Sequence, residues 1–205
     1  MYLPAHFAET RQSELHRIIR EHPLGILVAP GGLDADHLPF ELLVEEGGAI
    51  SLLAHVARAN PLWQRCPTGT EVLVIFRGVA GYISPNWYPS KHETHRQVPT
   101  WNYEVVHARG VVTVLDDEAG LRGIVGRLTR RHEATEPRPW KMSDAPKDYM
   151  ETMLQNIVGL EIRVDALEGK AKLSQNREQR DRQGAADTLR DRGQDALSSA
   201  MQRFI

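Results

Sequence analysis

Short apolar runs, closely spaced and separated by turn residues, constrain the fold of this chain more than any other feature. LGILVAP, HLPFELLVE, AISLLAHV and EVLVIFRGVAGYI follow one another between residues 24 and 83, with Gly, Pro and Asp as punctuation. Such runs, rich in Val, Ile and Leu, predict β-strands. The gaps are too short to place a helix between each pair of strands. This favours an antiparallel barrel or sandwich over a doubly wound parallel sheet.

The remaining segments predict further strands and several helices. YEVVHARGVVTVLD has strand character, and GLEIRVDALEGK alternates apolar with charged residues, as a half-buried strand does. Apolar residues at helical spacing predict one helix that ends before Pro23 and another that begins near Asp117, and ARANPLWQRCPTGT has room for a short helix. A further helix is expected from Pro146, with Asp144 as its candidate cap. We therefore predict a mainly β fold with peripheral helices.

The last residues differ from the rest of the chain. Residues 177–205 have few large apolar side chains, so we predict a helical tail that frays or docks on a partner subunit. The expected division is a domain of residues 1–176 followed by this tail.

Composition excludes several classes of protein. The formal net charge of −2 gives no general attraction to nucleic acid. The single cysteine, Cys66, rules out an internal disulfide and a cysteine-based zinc ribbon. No apolar run approaches the roughly 20 residues that span a bilayer, and the first residues lack the pattern of a signal peptide. We expect a cytoplasmic protein without a membrane partner.

Three segments carry candidate binding groups. HVARANPLW places Arg58 and Asn60 where a strand gives way to a helix, and free backbone N–H groups there can bind an anion together with a guanidinium. The alternative is a solvated arginine. KLSQN is either a dense polar binding set or a capped turn. HETH offers two imidazoles, but the flanking prolines argue against a helix and no third ligand is evident, so no metal site is predicted.

Aromatic residues cluster beside prolines between residues 82 and 103, in GYISPNWYPSK and VPTWNY. Large, flat side chains on stiff loops suit the lining of a planar ligand or the sealing of a subunit contact. Packing of these loops as a small satellite core is the alternative.

Six segments together resemble the PaiB family of FMN-binding proteins: MYLPAHF, HLPFELL, AHVARANPLW, GYISPNWYPSK, VPTWNYEVVHARG and IVGLEIRVDALEGKAKLSQN. The resemblance runs in order from Met1 to about Asn176. It implies an antiparallel FMN-binding split β-barrel of roughly six to eight strands. It also implies a homodimer that holds the flavin at the subunit interface, as in relatives of the pyridoxamine-phosphate oxidases.

The resemblance assigns parts of the flavin to particular residues. The HVARAN turn is expected near the phosphate, the HLPF strand beside the ring, and KLSQN near the phosphate or the pyrimidine carbonyls. A lysine near N1 and the C2 carbonyl would stabilise reduced, anionic flavin. The predicted cofactor contacts are His37, Leu38, His55, Arg58, Asn60, Trp87, Tyr88, Thr100, Trp101, Asn102, Lys172, Ser174, Gln175 and Asn176.

The residues and the resemblance leave three alternatives for the function of this protein. His37, His55 and His107 could transfer protons, but each is more typical of a hydrogen-bonding or core residue, so catalytic residues are not assigned. An FMN-dependent oxidoreductase is one alternative. The others are a transcriptional regulator that uses flavin as a ligand or sensor, with direct DNA binding disfavoured, and a haem-handling split-barrel relative. For Arg58→Ala, the sequence predicts a loss of FMN affinity of about an order of magnitude or more.

Overall fold

The computed structural model describes residues 1–31 and 34–205. Within these ranges the chain forms eight strands and seven α-helices. The strands are β1 (Ala8–Glu9), β2 (Leu24–Val28), β3 (Ala35–Pro39), β4 (Glu41–Val44), β5 (Ile50–Ala57), β6 (Glu71–Ile83), β7 (Thr100–Leu115) and β8 (Ile157–Lys172). The helices are α1 (Gln12–Glu21), α2 (Leu62–Arg65), α3 (Pro89–Thr94), α4 (Glu118–Glu133), α5 (Lys147–Gln155), α6 (Gln179–Asp191) and α7 (Asp195–Gln202). No helix in the described ranges combines the length and apolar character needed to span a bilayer.

The strands form an eight-stranded sheet in the order β3-β2-β6-β7-β8-β5-β4, and β1 pairs with β8. β2 runs antiparallel to β3 and β6, and β5 runs antiparallel to β4 and β8. The antiparallel pairing confirms the fold class that the spacing of the apolar runs predicts.

One predicted strand proves to be two. HLPFELLVE divides into β3 and β4 at Phe40, which is fully buried and donates its backbone N–H to the carbonyl of Pro23 at 2.9 Å. Pro39 ends β3, because a proline has no N–H with which to continue a strand ladder.

The chain divides into two compact units. Unit 1 comprises residues 1–22, 76–106 and 168–205, and unit 2 comprises residues 23–75 and 107–167. The division of the sequence into a domain of residues 1–176 and a separate tail stays a prediction.

In unit 2, α4 packs on the sheet. Ile124 and Leu128 of this helix contact Leu53 of β5. Close packing depends on Gly159 of β8, where a Cβ would lie 2.7 Å from Cδ1 of Ile124. Asp117 caps the helix by accepting a hydrogen bond of 2.8 Å from the backbone N–H of Gly120. The helix predicted from Asp117 onward is therefore confirmed.

Asp144 does not cap the helix that follows it. Its carboxylate accepts from the backbone N–H of Lys141 at 3.0 Å, and so closes a short 3₁₀ turn. The residue before α5 is Pro146, which makes no side-chain cap. Asp144 lies three residues ahead of the first helical residue, too early to reach the free N–H groups of α5.

In unit 1, α1 and the C-terminal helices bury apolar side chains. Leu15, Ile18 and Ile19 of α1 are buried, as their helical spacing predicts. Residues 177–205 do not fray in this structure: α6 and α7 bury alanines, leucines and a methionine in a core cluster with Tyr88. Alanines, which carry little hydrophobic signal in the sequence, form this contact together with Leu189, Leu197 and Met201.

A short helix also occupies a segment where the prolines argued against one. α3 begins at Pro89, whose missing N–H is no loss at the first helical position. It ends at Thr94, and the next residue, His95, adopts a left-handed conformation with φ of 55°.

Candidate functional site

The predicted cofactor contacts fall into two sets. Five lie in unit 2: His37, Leu38, His55, Arg58 and Asn60. Nine lie in unit 1: Trp87, Tyr88, Thr100, Trp101, Asn102, Lys172, Ser174, Gln175 and Asn176.

Arg58 of unit 2 follows β5 and is held by the chain itself. Its guanidinium donates to both carboxylate oxygens of Asp116, at 2.5 and 3.1 Å. It also donates to the carbonyl of Gln155 at 2.6 Å and to the carbonyl of Ile157 at 3.0 Å. The hydrogen bond from Arg58 lowers the pKa of the Asp116 carboxyl. Since four of the five guanidinium N–H groups are occupied, an anion would have to displace Asp116 to bind Arg58 in a bidentate manner.

A pocket of about 360 Å³ lies beside Arg58. Its lining includes three acidic side chains, Asp116, Glu118 and Glu151, against the single guanidinium of Arg58. This surplus of negative charge disfavours a dianionic phosphate.

The other unit 2 residues have structural contacts. Asn60 donates to the carboxylate of Asp36 at 3.1 Å and accepts from the backbone N–H of Leu62 at 2.8 Å, which fixes the turn before α2. His37 and Leu38 are neighbours on β3, one exposed and one buried. Their side chains leave opposite faces of the strand, so a ring beside one face would contact only one of them.

His55 is a half-buried histidine on β5. Its Nδ1 atom is inaccessible to solvent and has no hydrogen-bond partner among the described residues. Burial lowers its pKa, which favours the neutral imidazole. A ligand contact from His55 stays a prediction.

In unit 1 the structure brings Thr100, Trp101 and Lys172 together. The Lys172 ammonium donates to Oγ1 of Thr100 and, at 2.5 Å, to the carbonyl of Trp101. Its Nζ lies 6.0 Å from the centre of the Phe7 ring. β7 supplies the two acceptors and β8 supplies the lysine, so the neighbouring strands position this contact.

Lys170, two residues before Lys172 on β8, also lies beside aromatic rings. It is buried, and its Nζ donates to the carbonyl of Tyr2 at 3.0 Å. The ammonium lies 5.7 Å from the Tyr2 ring centre and 5.4 Å from that of Tyr103. Residues two apart on a strand share a face, so Lys170 and Lys172 point to one side of β8. We name this surface the lysine–aromatic face; it consists of Tyr2, Phe7, Thr100, Trp101, Tyr103, Lys170 and Lys172.

Neither lysine forms an ion pair among the described residues, although Glu168 shares this side of β8 with them. In the described part of the chain, neither ammonium has a carboxylate within 4.0 Å. Glu168 is instead paired with the amino group of Met1 at 2.8 Å. Burial, followed by the positive charges of Lys170 and Arg177, lowers the pKa of Lys172. A buried cation without an acidic partner is costly, and an anion placed beside it would relieve that cost.

Tyr88, Asn102 and Ser174 form a buried polar junction. The hydroxyl groups of Tyr88 and Ser174 share a hydrogen bond of 3.1 Å, and the Asn102 amide donates to Oγ of Ser174 at 2.9 Å. Ser174 has a left-handed backbone with φ of 67°, which is uncommon for a residue other than glycine. The junction holds this turn directly after Lys172, and Tyr88 is fully buried in it.

The last three predicted residues differ in their surroundings. The Gln175 side chain accepts from the backbone N–H of Leu173 at 2.8 Å and donates to the carbonyl of Ala171 at 2.5 Å. Asn176 is exposed. Trp87 packs edge-to-face on Tyr82 and lies 5.1 Å below the guanidinium of Arg192. Contacts of these residues with a cofactor stay predictions.

Sequence reasoning missed Lys170, Tyr2 and Phe7. The alternation of Lys170 and Lys172 along an amphipathic strand is a signal that could have found the first. Tyr2 and Phe7 reach the face because β1 pairs with β8 across a separation of more than 150 residues. A strand of two residues gives no usable sequence pattern.

Comparison with known proteins identifies the family. A family model described as "Putative FMN-binding domain" matches residues 1–166. The chain belongs to this family, the PaiB family of FMN-binding proteins. Protease synthase and sporulation protein PAI 2 of Bacillus subtilis is 30% identical over 191 residues, which cover 92% of this chain and 89% of that protein. Uncharacterized protein AN0679 of Emericella nidulans is 34% identical over 96% of this chain and 93% of its own length.

Solved structures support the fold of this PaiB family member. An FAD and haem binding protein of Mycobacterium smegmatis superposes with a TM-score of 0.57 at 16% identity, over 80% of this chain and 73% of that one. The flavocytochrome Anf3 of Azotobacter vinelandii gives the same TM-score at 14% identity, over 80% and 69% of the two chains. The antiparallel split β-barrel predicted from the sequence is thereby confirmed.

The cofactor that the PaiB family assignment supports is FMN. The donor set of the lysine–aromatic face fits this molecule, because two ammonium groups without acidic partners suit a phosphate dianion or the polar edge of the flavin. Thr100 adds a hydroxyl group and Trp101, more than half exposed, adds a flat surface for a ring. When bound, FMN would supply redox chemistry that the amino acid side chains lack.

Proposed function

We propose that this protein binds FMN on the lysine–aromatic face and does so as a homodimer that shares the flavin between its subunits. The observation that carries the proposal is the pair of ammonium groups of Lys170 and Lys172, which lie beside aromatic rings and form no ion pair with a carboxylate among the described residues.

The residues of the lysine–aromatic face have different roles in FMN binding under this proposal. Lys172 and Lys170 attract the anionic groups of the flavin, while Thr100 and the backbone of Trp101 fix the position of the Lys172 ammonium. The Trp101 indole offers a surface to the ring system. The buried polar junction of Tyr88, Asn102 and Ser174 helps to position Lys172, because it holds the turn that follows this lysine.

Exposed apolar side chains support the homodimer. Tyr2 is 85% exposed, Val98 is 63% exposed and Trp101 is 55% exposed, and all three belong to unit 1. Large exposed apolar side chains of this kind are typical of a site for a ligand or a protein partner. A second copy of the chain would cover what the flavin leaves exposed.

The bound flavin serves electron transfer or flavin-dependent regulation. The net charge of −2 disfavours autonomous DNA binding, so regulation would act through a metabolite or a protein partner. Reduction of the bound flavin by a pyridine nucleotide at a rate that supports turnover would favour the redox role.

The first test is the state of the purified protein. We expect flavin absorption bands, and mass spectrometry of the ligand released by denaturation should identify FMN. Protein purified without ligand should bind added FMN more tightly than riboflavin, because only FMN carries the phosphate. Sedimentation should give the mass of two chains. Equal affinity for both flavins, or no binding of either, would overturn the cofactor assignment, and a single chain at all concentrations would overturn the dimer.

A further inference from the structure

We propose that Asp181, on the C-terminal helix α6, is a positioning residue for the flavin site. It fixes the loop of residues 84–99, which leads into Thr100 and Trp101, and so makes FMN retention depend on the C-terminal helices. The inference rests on the proposed function of the lysine–aromatic face.

Asp181 is bonded directly to that loop. Its carboxylate, only 1% exposed, accepts from the backbone N–H of Ser90 at 2.9 Å and from the Ser90 hydroxyl at 2.6 Å. Gln97 donates to Oγ of Ser90 at 2.8 Å and to the same carboxylate at 3.4 Å. One buried carboxylate therefore joins the start of α3 to the end of the loop.

The loop end held in this way belongs to the lysine–aromatic face. Thr100 and Trp101 follow Gln97 by three and four residues, and both accept hydrogen bonds from Lys172. Release of Gln97 would free the segment that places these acceptors. Loss of Asp181 would also leave the Ser90 N–H and hydroxyl buried without their acceptor, which favours opening of the loop.

Other contacts of the C-terminal helices hold the same loop. A Cβ at Gly184 of α6 would lie 2.6 Å from the backbone oxygen of Trp87 and 3.0 Å from Cδ of Pro89, so only glycine allows this approach. Arg180 makes a bidentate pair with Glu93 of α3, at 2.6 and 2.7 Å. The helices thus contact the loop along its length.

Only the helix side of this clamp lies outside the residues that the family model matches; the loop of residues 84–99 lies inside them. The family model covers residues 1–166, whereas Asp181 and Gly184 lie beyond them. The family match therefore does not by itself imply the contact between α6 and the loop.

Gly184→Ala tests the clamp, with Gly123→Ala as the matched control. Both glycines lie within α-helices, but a Cβ at Gly123 of α4 meets nothing within 4 Å. We expect Gly184→Ala to speed hydrogen exchange of amides in residues 84–101 and to weaken FMN binding by about tenfold. Exchange in β5 of unit 2 should not change, which separates loss of positioning from general destabilisation. Gly123→Ala should change neither quantity.

Asp181→Asn is the second variant, in case Gly184→Ala does not fold. An amide has the size of the carboxylate but only one acceptor oxygen, so the same changes are expected at smaller size. Wild-type exchange rates in residues 84–101 of a folded variant would overturn the clamp. Faster exchange with unchanged FMN affinity would overturn the link to the flavin while leaving the proposed function standing. If the wild-type chain binds no FMN, the proposed function and the link both fail, and the exchange rates still decide whether the clamp exists.

Discussion

Lys172 of the lysine–aromatic face and Arg58 of unit 2 are both cations that the sequence linked to the flavin, yet their surroundings balance the positive charge in opposite ways. Arg58 has a carboxylate, Asp116, and two backbone carbonyls as acceptors. Within the described part of the chain, Lys172 has a hydroxyl and a carbonyl as acceptors but no carboxylate. A cation whose charge is already neutralised stabilises the fold, whereas one that is left uncompensated is available to a ligand anion.

The pKa directions show the same difference. The hydrogen bond with Asp116 raises the pKa of Arg58, whereas burial and neighbouring positive charges lower the pKa of Lys172. The surroundings of Arg58 thus favour its charged form, and those of Lys172 oppose it. Binding of an anion would change the second site far more than the first.

Replacement of Lys172 should therefore produce the largest effect. We expect Lys172→Met to weaken FMN binding by about tenfold or more, since a charge-assisted contact contributes roughly 1.5–3 kcal/mol. Riboflavin affinity should fall less if the ammonium meets the phosphate, and equally if it meets the ring. Titration of flavin fluorescence with each ligand measures both.

Lys147→Met is the control for that change. Lys147 is 86% exposed and pairs at 3.6 Å with Glu151, so the same substitution there removes a charge without touching the lysine–aromatic face. If Lys147→Met weakens FMN binding as much as Lys172→Met, FMN affinity depends on the total charge of the protein and not on the position of Lys172. The contrast between Lys172 and Arg58 would then be wrong.

The pH dependence of binding should give the next largest effect. The pKa of Lys172 in the free protein lies below the ordinary 10.5, and a bound anion would raise it. At a pH between the pKa of Lys172 in the free protein and its raised pKa in the complex, Lys172 takes up a proton when FMN binds. FMN affinity should therefore fall several-fold as the pH rises through this range. Between the lowered pKa and the ordinary 10.5, the unfolded chain binds more protons than the folded one, so the stability of the free protein rises with pH in that range.

Lys172→Arg separates this proton from the titration of the flavin itself. A guanidinium stays charged throughout, so its affinity curve should show only the flavin's own pH dependence. Identical curves for the lysine and arginine proteins would place the anion away from Lys172.

The sequence predicts the sheet better than the contacts of the site. The close spacing of apolar runs favours an antiparallel sheet over a doubly wound parallel one, and the pairings of β2 and β5 are antiparallel. The C-terminal helices pack through small side chains such as Ala185 and Ala186, which carry little hydrophobic signal. Their docking therefore could not be inferred from apolar spacing.

The contacts of the site that could not be predicted from the sequence join residues that lie far apart in the chain. Asp116 lies 58 residues from Arg58, and no local pattern marks it as the partner of that guanidinium. The two-residue β1 brings the N-terminal aromatics to Lys170 and has no pattern of its own. By contrast, Thr100, Trp101 and Lys172 were each predicted as ligands, and the structure brings them together.

The smallest effect on FMN affinity is expected for substitutions of Arg58 and Asp116. Their result decides whether the contrast between Arg58 and Lys172 holds. Sequence reasoning gave Arg58→Ala a loss of about tenfold or more in FMN affinity, but the ion pair with Asp116 lowers our expectation to less than about fivefold. Asp116→Asn is the complementary variant, because it frees the guanidinium without removing it. If Arg58 binds the phosphate, Asp116→Asn should tighten FMN binding while Arg58→Ala weakens it; if Arg58 only joins the strand ends, neither should alter it appreciably. Opposite shifts in the two variants would move the phosphate to unit 2, and the uncompensated lysines of unit 1 would then need another anion.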